Sequence, residues 1–133
     1  MRSQQQKPVS LDKLFRALAD PTRLRLINLI ADQEICVCYF TEVIDAPQPK
    51  ISRHLAYLRR AGVVAAKRDG KWMHYRLTMP QNSHAASILK STIAALKADK
   101  EMQRDRERLN RACCGPKSVV QLLGAPLPSN SSL

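Results

Sequence analysis

Glycine is scarce in this 133-residue sequence, with only four in the chain. None of them builds a Gly-rich loop of the kind that cradles phosphates. No Cys–His pair stands at motif spacing, and no substrate-pocket motif is present. These gaps count against the enzyme reading, a thiol oxidoreductase built on the cysteine pairs. Acidic residues are also few: 11 Asp and Glu face 22 Lys and Arg, a formal charge of +11. Such an excess on a small protein calls for a polyanion, either nucleic acid or an anionic membrane surface. No run of about eighteen apolar residues exists, so no segment is expected to span a bilayer. Residues 1–8 are polar and lack the apolar stretch of a signal peptide, so a cytoplasmic location is expected. In a reducing compartment the four cysteines, Cys36, Cys38, Cys113 and Cys114, are thiols rather than a disulfide framework.

What is present reads as a mainly α chain with one small β-hairpin. Residues 1–8 are expected to be disordered, 9–112 to form one domain, and 113–133 to be a Cys-Cys segment with a flexible tail. Ser10 precedes Leu11, Leu14, Phe15 and Leu18, an i, i+3, i+4, i+7 stripe. Asp20-Pro21 is a cap followed by a proline suited to the first helical position. The helix after it is apolar on most sides and belongs at the centre of the domain. A third helix is expected from about Ile35 to Ile44, and a fourth from about Pro49 to Ala61, stopped by Gly62. Residues 63–68 and 71–78 read as strands joined at Asp69-Gly70. A long helix begins near His84. Its stripe of Leu89, Ile93 and Leu96 is expected to be buried between two subunits. Its charged half, Lys97 to Arg111, is expected to be solvated or frayed.

Helix, tight turn, helix and basic hairpin form the order of a winged helix-turn-helix, ααα-α-ββ-α. Ile51, Leu55 and Leu58 of the fourth helix share an inward face. The opposite face presents Lys50, Arg53, Tyr57 and Arg60, with Gln48 at the start and Ser52 and His54 on the flanks. These side chains suit guanine edges and phosphates. Lys67, Arg68, Lys71 and Arg76 on the hairpin suit the flanking backbone or minor groove. The partner is therefore expected to be double-stranded DNA. No basic helix here carries an exposed aromatic face, which argues against a membrane surface.

Three segments, A-L-A-D-P-T-R-L-R-L-I-N-L-I (17–30), Q-P-K-I-S-R-H-L (48–55) and D-G-K-W-M-H-Y-R-L (69–77), resemble the ArsR/SmtB family of metalloregulatory repressors. The likeness extends over about residues 11 to 96. E-I-C-V-C (34–38) resembles the metal-binding box of the arsenic-responsive branch. The resemblance implies a homodimer joined through its first and last helices. It also implies a palindromic operator and release from DNA when the inducer binds.

Cys36 on the third helix shares an inward face with Phe40 and Val43, so by itself it also reads as a small buried hydrophobe. Cys38 lies about 200° round a regular helix from it. Both thiols can then hold one ion only if the helix start distorts, and a helix N-terminus favours the thiolate form. Two thiols with no His or carboxylate beside them select a soft ion. The resemblance makes that ion arsenic(III), with antimony(III) beside it, and cadmium or lead as the alternative. The resembling branch often has a third Cys three residues after the second, where this chain has Thr41. A third sulfur would come from Cys113 or Cys114, or the coordination is completed by a small-molecule thiol or water. The C-terminal pair also remains open as a second site or as thiols without a role. The zinc-responsive pattern is not expected: Asn82 and His84 stand at its first half, and residues 94–100 hold no His and no Glu. A constitutive DNA-architectural protein is a further alternative.

Overall fold

The computed structural model describes residues 10–114 and 126–130. The expected disorder of residues 1–8 therefore lies outside the described residues. Among the described residues, six helices and four strands follow in the order α1 (Leu11–Leu18), α2 (Pro21–Ile30), β1 (Gln33–Cys36), α3 (Val37–Ile44), α4 (Gln48–Arg60), β2 (Val64–Asp69), β3 (Trp72–Leu77), α5 (Ser83–Ala98), α6 (Lys100–Cys114) and β4 (Ser129–Asn130). This is a winged helix-turn-helix, with α3 and α4 as the helix pair and β2–β3 as the wing.

Local chemistry sets the boundaries. Asp20 caps α2 by accepting from the Arg23 N–H at 3.0 Å, and Pro21 follows at the first helical position. Ser10 precedes α1 in extended conformation but makes no side-chain capping bond. Asp45, in the left-handed region with φ 58°, ends α3. Gly62, with φ 78°, ends α4: its N–H reaches the Arg59 carbonyl while the Val63 N–H reaches that of Leu58. In the wing Asp69 pairs with Trp72, so the two loop residues are Gly70 and Lys71. The turn thus sits one residue later than Asp69-Gly70, with Gly70 supplying the positive φ of 62°.

Larger features also depart from the sequence reading. The segment Gln33–Cys36 is a strand rather than the start of α3, pairing Ile35 with Tyr75 and Cys36 with His74. Four residues are too short a window for a period to show. The long terminal helix is two helices, because Asp99 leaves helical geometry and its carboxylate accepts the N–H groups of Glu101 and Met102. The charged half, α6, is packed rather than solvated. It lies on α2 and α3, and Asp105, Leu109, Ala112 and Cys113 are buried. Asp105 takes a two-pronged ion pair from Arg25 at 2.7 and 3.0 Å. The Asn28 amide donates to the Met102 carbonyl and accepts from Arg106. Finally, Leu89 and Leu96 belong to the subunit's own core, so they do not supply the expected face between subunits. Ile93 is half-buried, and Leu11 and Phe15 on α1 are exposed.

The sheet order is β2-β3-β1-β4, all antiparallel. In the segment expected to be a flexible tail, α6 continues through Cys114, and Ser129 and Asn130 pair with Glu34 and Gln33. The core is continuous from Leu14 of α1 through α2 to Ile51, Leu55 and Leu58 of α4. The inward face read for α4 therefore holds.

Candidate nucleic-acid interface and thiol centre

With Ile51, Leu55 and Leu58 fully buried, most of the polar residues of α4 face out. Gln48, Lys50, Ser52, Arg53 and Arg60 are exposed, as are Lys67, Arg68, Lys71 and Arg76 on the wing. Nine residues read from sequence as DNA-facing thus present their polar groups to solvent. Arg59, which the sequence reading left out, is exposed beside Arg60. Lys13 and Arg16 of α1 were also left out. They line a cavity of about 250 Å³ with Tyr57, Arg60 and Ala61, where three cationic side chains suit a phosphate. Their signal was weak, because α1 was read only for its apolar stripe.

His54 and Tyr57 are half-buried and engaged with α2. The Arg23 guanidinium lies 4.1 Å from the centre of the Tyr57 ring. It also donates to Nδ1 of His54 at 3.3 Å and to the carbonyls of Ala17 and Arg16 at 2.9 and 2.8 Å. Arg23 therefore joins the end of α1 to the outward helix. Burial lowers the basicity of His54; Asp20 opposes this, and Arg23, Lys50 and Arg53 add to the lowering.

The thiol centre lies where β1 becomes α3. Cys36 is the last strand residue and the cap position of the helix, with φ −66° and ψ 140°. Because Cys36 is not helical, the 200° separation does not apply. The Sγ atoms of Cys36 and Cys38 are 2.8 Å apart. The expectation that the helix start must distort to unite them is thereby corrected. Cys36 is 1% exposed and Cys38 is half-buried. The expectation of favoured thiolates is corrected at Cys38. Burial pushes its thiol up to about 12, and the hydrogen bond and the charge of Cys36 push the same way.

Thr41, where a third sulfur would stand, donates its hydroxyl to the Cys38 carbonyl at 2.9 Å. Cys113 is buried at the end of α6, its thiol 3.5 Å from the Asn110 carbonyl. The Cys114 side chain lies outside the described residues. His74, directly across the strands from Cys36, is buried with Nε2 lacking a hydrogen-bond partner. Among the described residues no three His, Cys, Asp or Glu side chains are gathered closely enough to hold a metal ion. Among the described residues the structure therefore brings together Cys36 and Cys38 and adds no third donor. Asn82 caps α5 by accepting the N–H groups of His84 and Ala85, and His84 is exposed. No helix among the described residues is long and apolar enough to cross a membrane.

The sequence pattern of the family described as "Bacterial regulatory protein, arsR family" matches residues 20–66. The arsenical resistance operon repressor of Escherichia coli is 46% identical over 78 residues, 58% of this chain and 67% of that protein. The arsenic resistance transcriptional regulator ArsR2 of Pseudomonas putida is 42% identical over 83 residues, 62% of this chain and 72% of that protein. The chain thus spans about two thirds of these relatives. Among solved structures, the transcriptional repressor BigR from Xylella fastidiosa matches with TM-score 0.54 and 29% identity, over 67% of this chain and 88% of that one. A structure described as a "possible transcriptional regulator for arsenical resistance" matches with TM-score 0.50 and 32% identity, over 71% of this chain and 93% of that one.

Proposed function

From the premise that the chain belongs to the arsR family of bacterial regulatory proteins, we propose that it is an arsenite-responsive transcriptional repressor, with antimonite as a second inducer. The observation that carries this reading is the position of the sulfur pair. Two thiols 2.8 Å apart sit at the first turn of α3, the helix that leads directly into the basic helix α4. The names of the relatives point the same way.

The donor set fits a soft centre: two sulfurs side by side, and a Thr hydroxyl already bonded elsewhere. Cys36 and Cys38 would hold the metalloid. When bound, it supplies a three-coordinate centre whose hydroxyl ligands can be exchanged for thiols. A protonated thiol that displaces such a hydroxyl gives its proton to the departing water, so the high proton affinity of Cys38 is no obstacle. A thiol that takes a divalent cation must instead lose its proton to solvent. This difference favours arsenite over cadmium and lead.

One further donor must come from outside the pair. Cys113 and Cys114 end α6, which packs against α3, and they are the proposed source. Recruiting that donor moves α3 relative to α6, and α4 moves with it. DNA release then follows from the metalloid's preference for the displaced arrangement.

On DNA, α4 reads the major groove and the wing holds the backbone. Arg53→Ala is expected to weaken operator binding by about 1–3 kcal/mol and relax preference at one position. Lys71→Ala is expected to weaken binding to every sequence and lower the salt slope by about one. Normal binding by both variants in a salt-dependent gel-shift series would contradict the assigned face.

The exposed Leu11 and Phe15 on α1, with half-buried Ile93 on α5, support a homodimer through the first and fifth helices. Such a dimer sets two α4 helices about 34 Å apart on a palindrome. Sedimentation at micromolar concentration should give the mass of two chains; a single-chain mass would exclude this assembly.

A further inference from the structure

His54 sits on the outward helix and was read as one of several polar residues that could face DNA. Its surroundings give it a more definite role. The guanidinium of Arg23 lies 3.3 Å from Nδ1 of His54. A guanidinium has donors only and keeps its proton in proteins, so Nδ1 must be the acceptor. The imidazole proton then resides on Nε2. The Asp20 carboxylate is the competing partner for Nδ1, since it would favour a proton there. It stands at 3.9 Å, too far for a hydrogen bond, and it already accepts the Arg23 backbone N–H at 3.0 Å.

Arg23 is itself fixed. Its other nitrogens donate to the Ala17 and Arg16 carbonyls, and its guanidinium carbon sits over the Tyr57 ring. These bonds hold the donor to His54 in one place. The far ring nitrogen, Nε2, makes no hydrogen bond within the described residues. Among these residues the one buried side-chain nitrogen or oxygen without a partner belongs to His74, so Nε2 of His54 still reaches the surface. His54 stands one residue from Arg53 and two from Ser52, both exposed on the same helix.

We propose that Arg23 is a positioning residue that locks His54 as the neutral Nε2–H tautomer, so that α4 offers DNA a hydrogen-bond donor there and not a positive charge. The acceptor on DNA is a base-edge oxygen or nitrogen, or a phosphate oxygen. The inference rests on the DNA-binding reading, but its first test needs no DNA. Long-range proton–nitrogen correlation spectra of the full chain at neutral pH should show His54 with a bare Nδ1 and a protonated Nε2. In Arg23→Gln the same spectra should show a mixture of tautomers or a doubly protonated ring, an outcome that loss of mere scaffolding would not give. A proton on Nδ1 of the unaltered chain would overturn the proposal.

Two substitutions test the contact. Gln places its amide N–H near the Nε2 position, whereas Asn reaches only the Nδ1 position. His54→Asn should bind the operator about tenfold more weakly than the unaltered chain, and His54→Gln several-fold more tightly than His54→Asn. Loss confined to the operator identifies a base edge, and equal loss on random-sequence DNA identifies a phosphate. Equal affinity of His54→Asn and the unaltered chain on both DNAs would overturn the proposed contact.

Discussion

A chain carrying Cys36→Ser and Cys38→Ser together is expected to bind the operator within about twofold of the unaltered protein and to stay bound at saturating arsenite. Neither thiol lies on the outward face of α4, so DNA affinity has no reason to fall far. Serine oxygens are hard donors and cannot replace thiolates on a soft centre. Each single substitution should also abolish release, because one sulfur cannot close a chelate across the β1–α3 junction. Cys36 is 1% exposed, so its serine variant buries a hydroxyl and should lose about 1–3 kcal/mol of stability. A thermal melt read beside the DNA titration separates that loss from loss of sensing. The Cys113→Ser/Cys114→Ser double variant should bind arsenite more weakly and lose most of its release, because the Cys36–Cys38 pair is already together and by itself recruits nothing that moves α3. Full release from the Cys36→Ser/Cys38→Ser double variant would move the sensor to the C-terminal pair.

The second large effect concerns α6. Arg25→Met should destabilise the fold by about 3 kcal/mol, near the lower end of the 3–5 expected for a broken buried pair. The reason is the carboxylate left behind. Asp105 has a side chain only 5% exposed, and its remaining cation, Arg108, is 3.7 Å away and 52% exposed. The magnitude stays near the lower limit because Arg25 itself is 29% exposed. Arg25→Met/Asp105→Leu should recover most of the loss, since an apolar pair leaves no buried charge. Urea unfolding of the three chains forms the test. A loss under about 1 kcal/mol for Arg25→Met would mean that α6 is not held against α2 in solution.

Both effects bear on what the sequence could reveal. The helix pair, the stop at Gly62 and the wing were legible because each has a strong local signature: an apolar face on α4, a glycine at positive φ, a two-residue hairpin loop. The positively charged face followed at once, since burying Ile51, Leu55 and Leu58 leaves the basic residues outside. The break at Asp99 was hidden within a run of charges that looks solvated from any short window. What buries α6 is long-range: Arg25 to Asp105 and Asn28 to Arg106 join residues about eighty positions apart. No periodicity contains such pairings.

The thiol geometry was misread for a related reason. Counting residues along a helix sets Cys36 and Cys38 on opposite sides, but the count begins one element too early. The strand partner of Cys36 is His74, on the wing, and that pairing keeps Cys36 out of the helix. Arg23 was likewise read only as part of the family-like segment 17–30. Its four partners, spread over α1 and α4, appear only when the helices are packed.

The measurement that bears most directly on the central claim is operator anisotropy during titration with arsenite and, separately, cadmium, at two pH values on either side of neutral. Cys38 keeps its proton throughout that range, since its thiol is pushed up to about 12. Cadmium must displace that proton, so its apparent affinity should fall at least about tenfold for each unit the pH is lowered. Arsenite exchanges hydroxyl for thiol and releases water, so its midpoint should move less than about threefold. The account predicts full release by arsenite at both pH values. An operator that stays bound at saturating arsenite, or an arsenite midpoint that follows pH as steeply as that of cadmium, would contradict it.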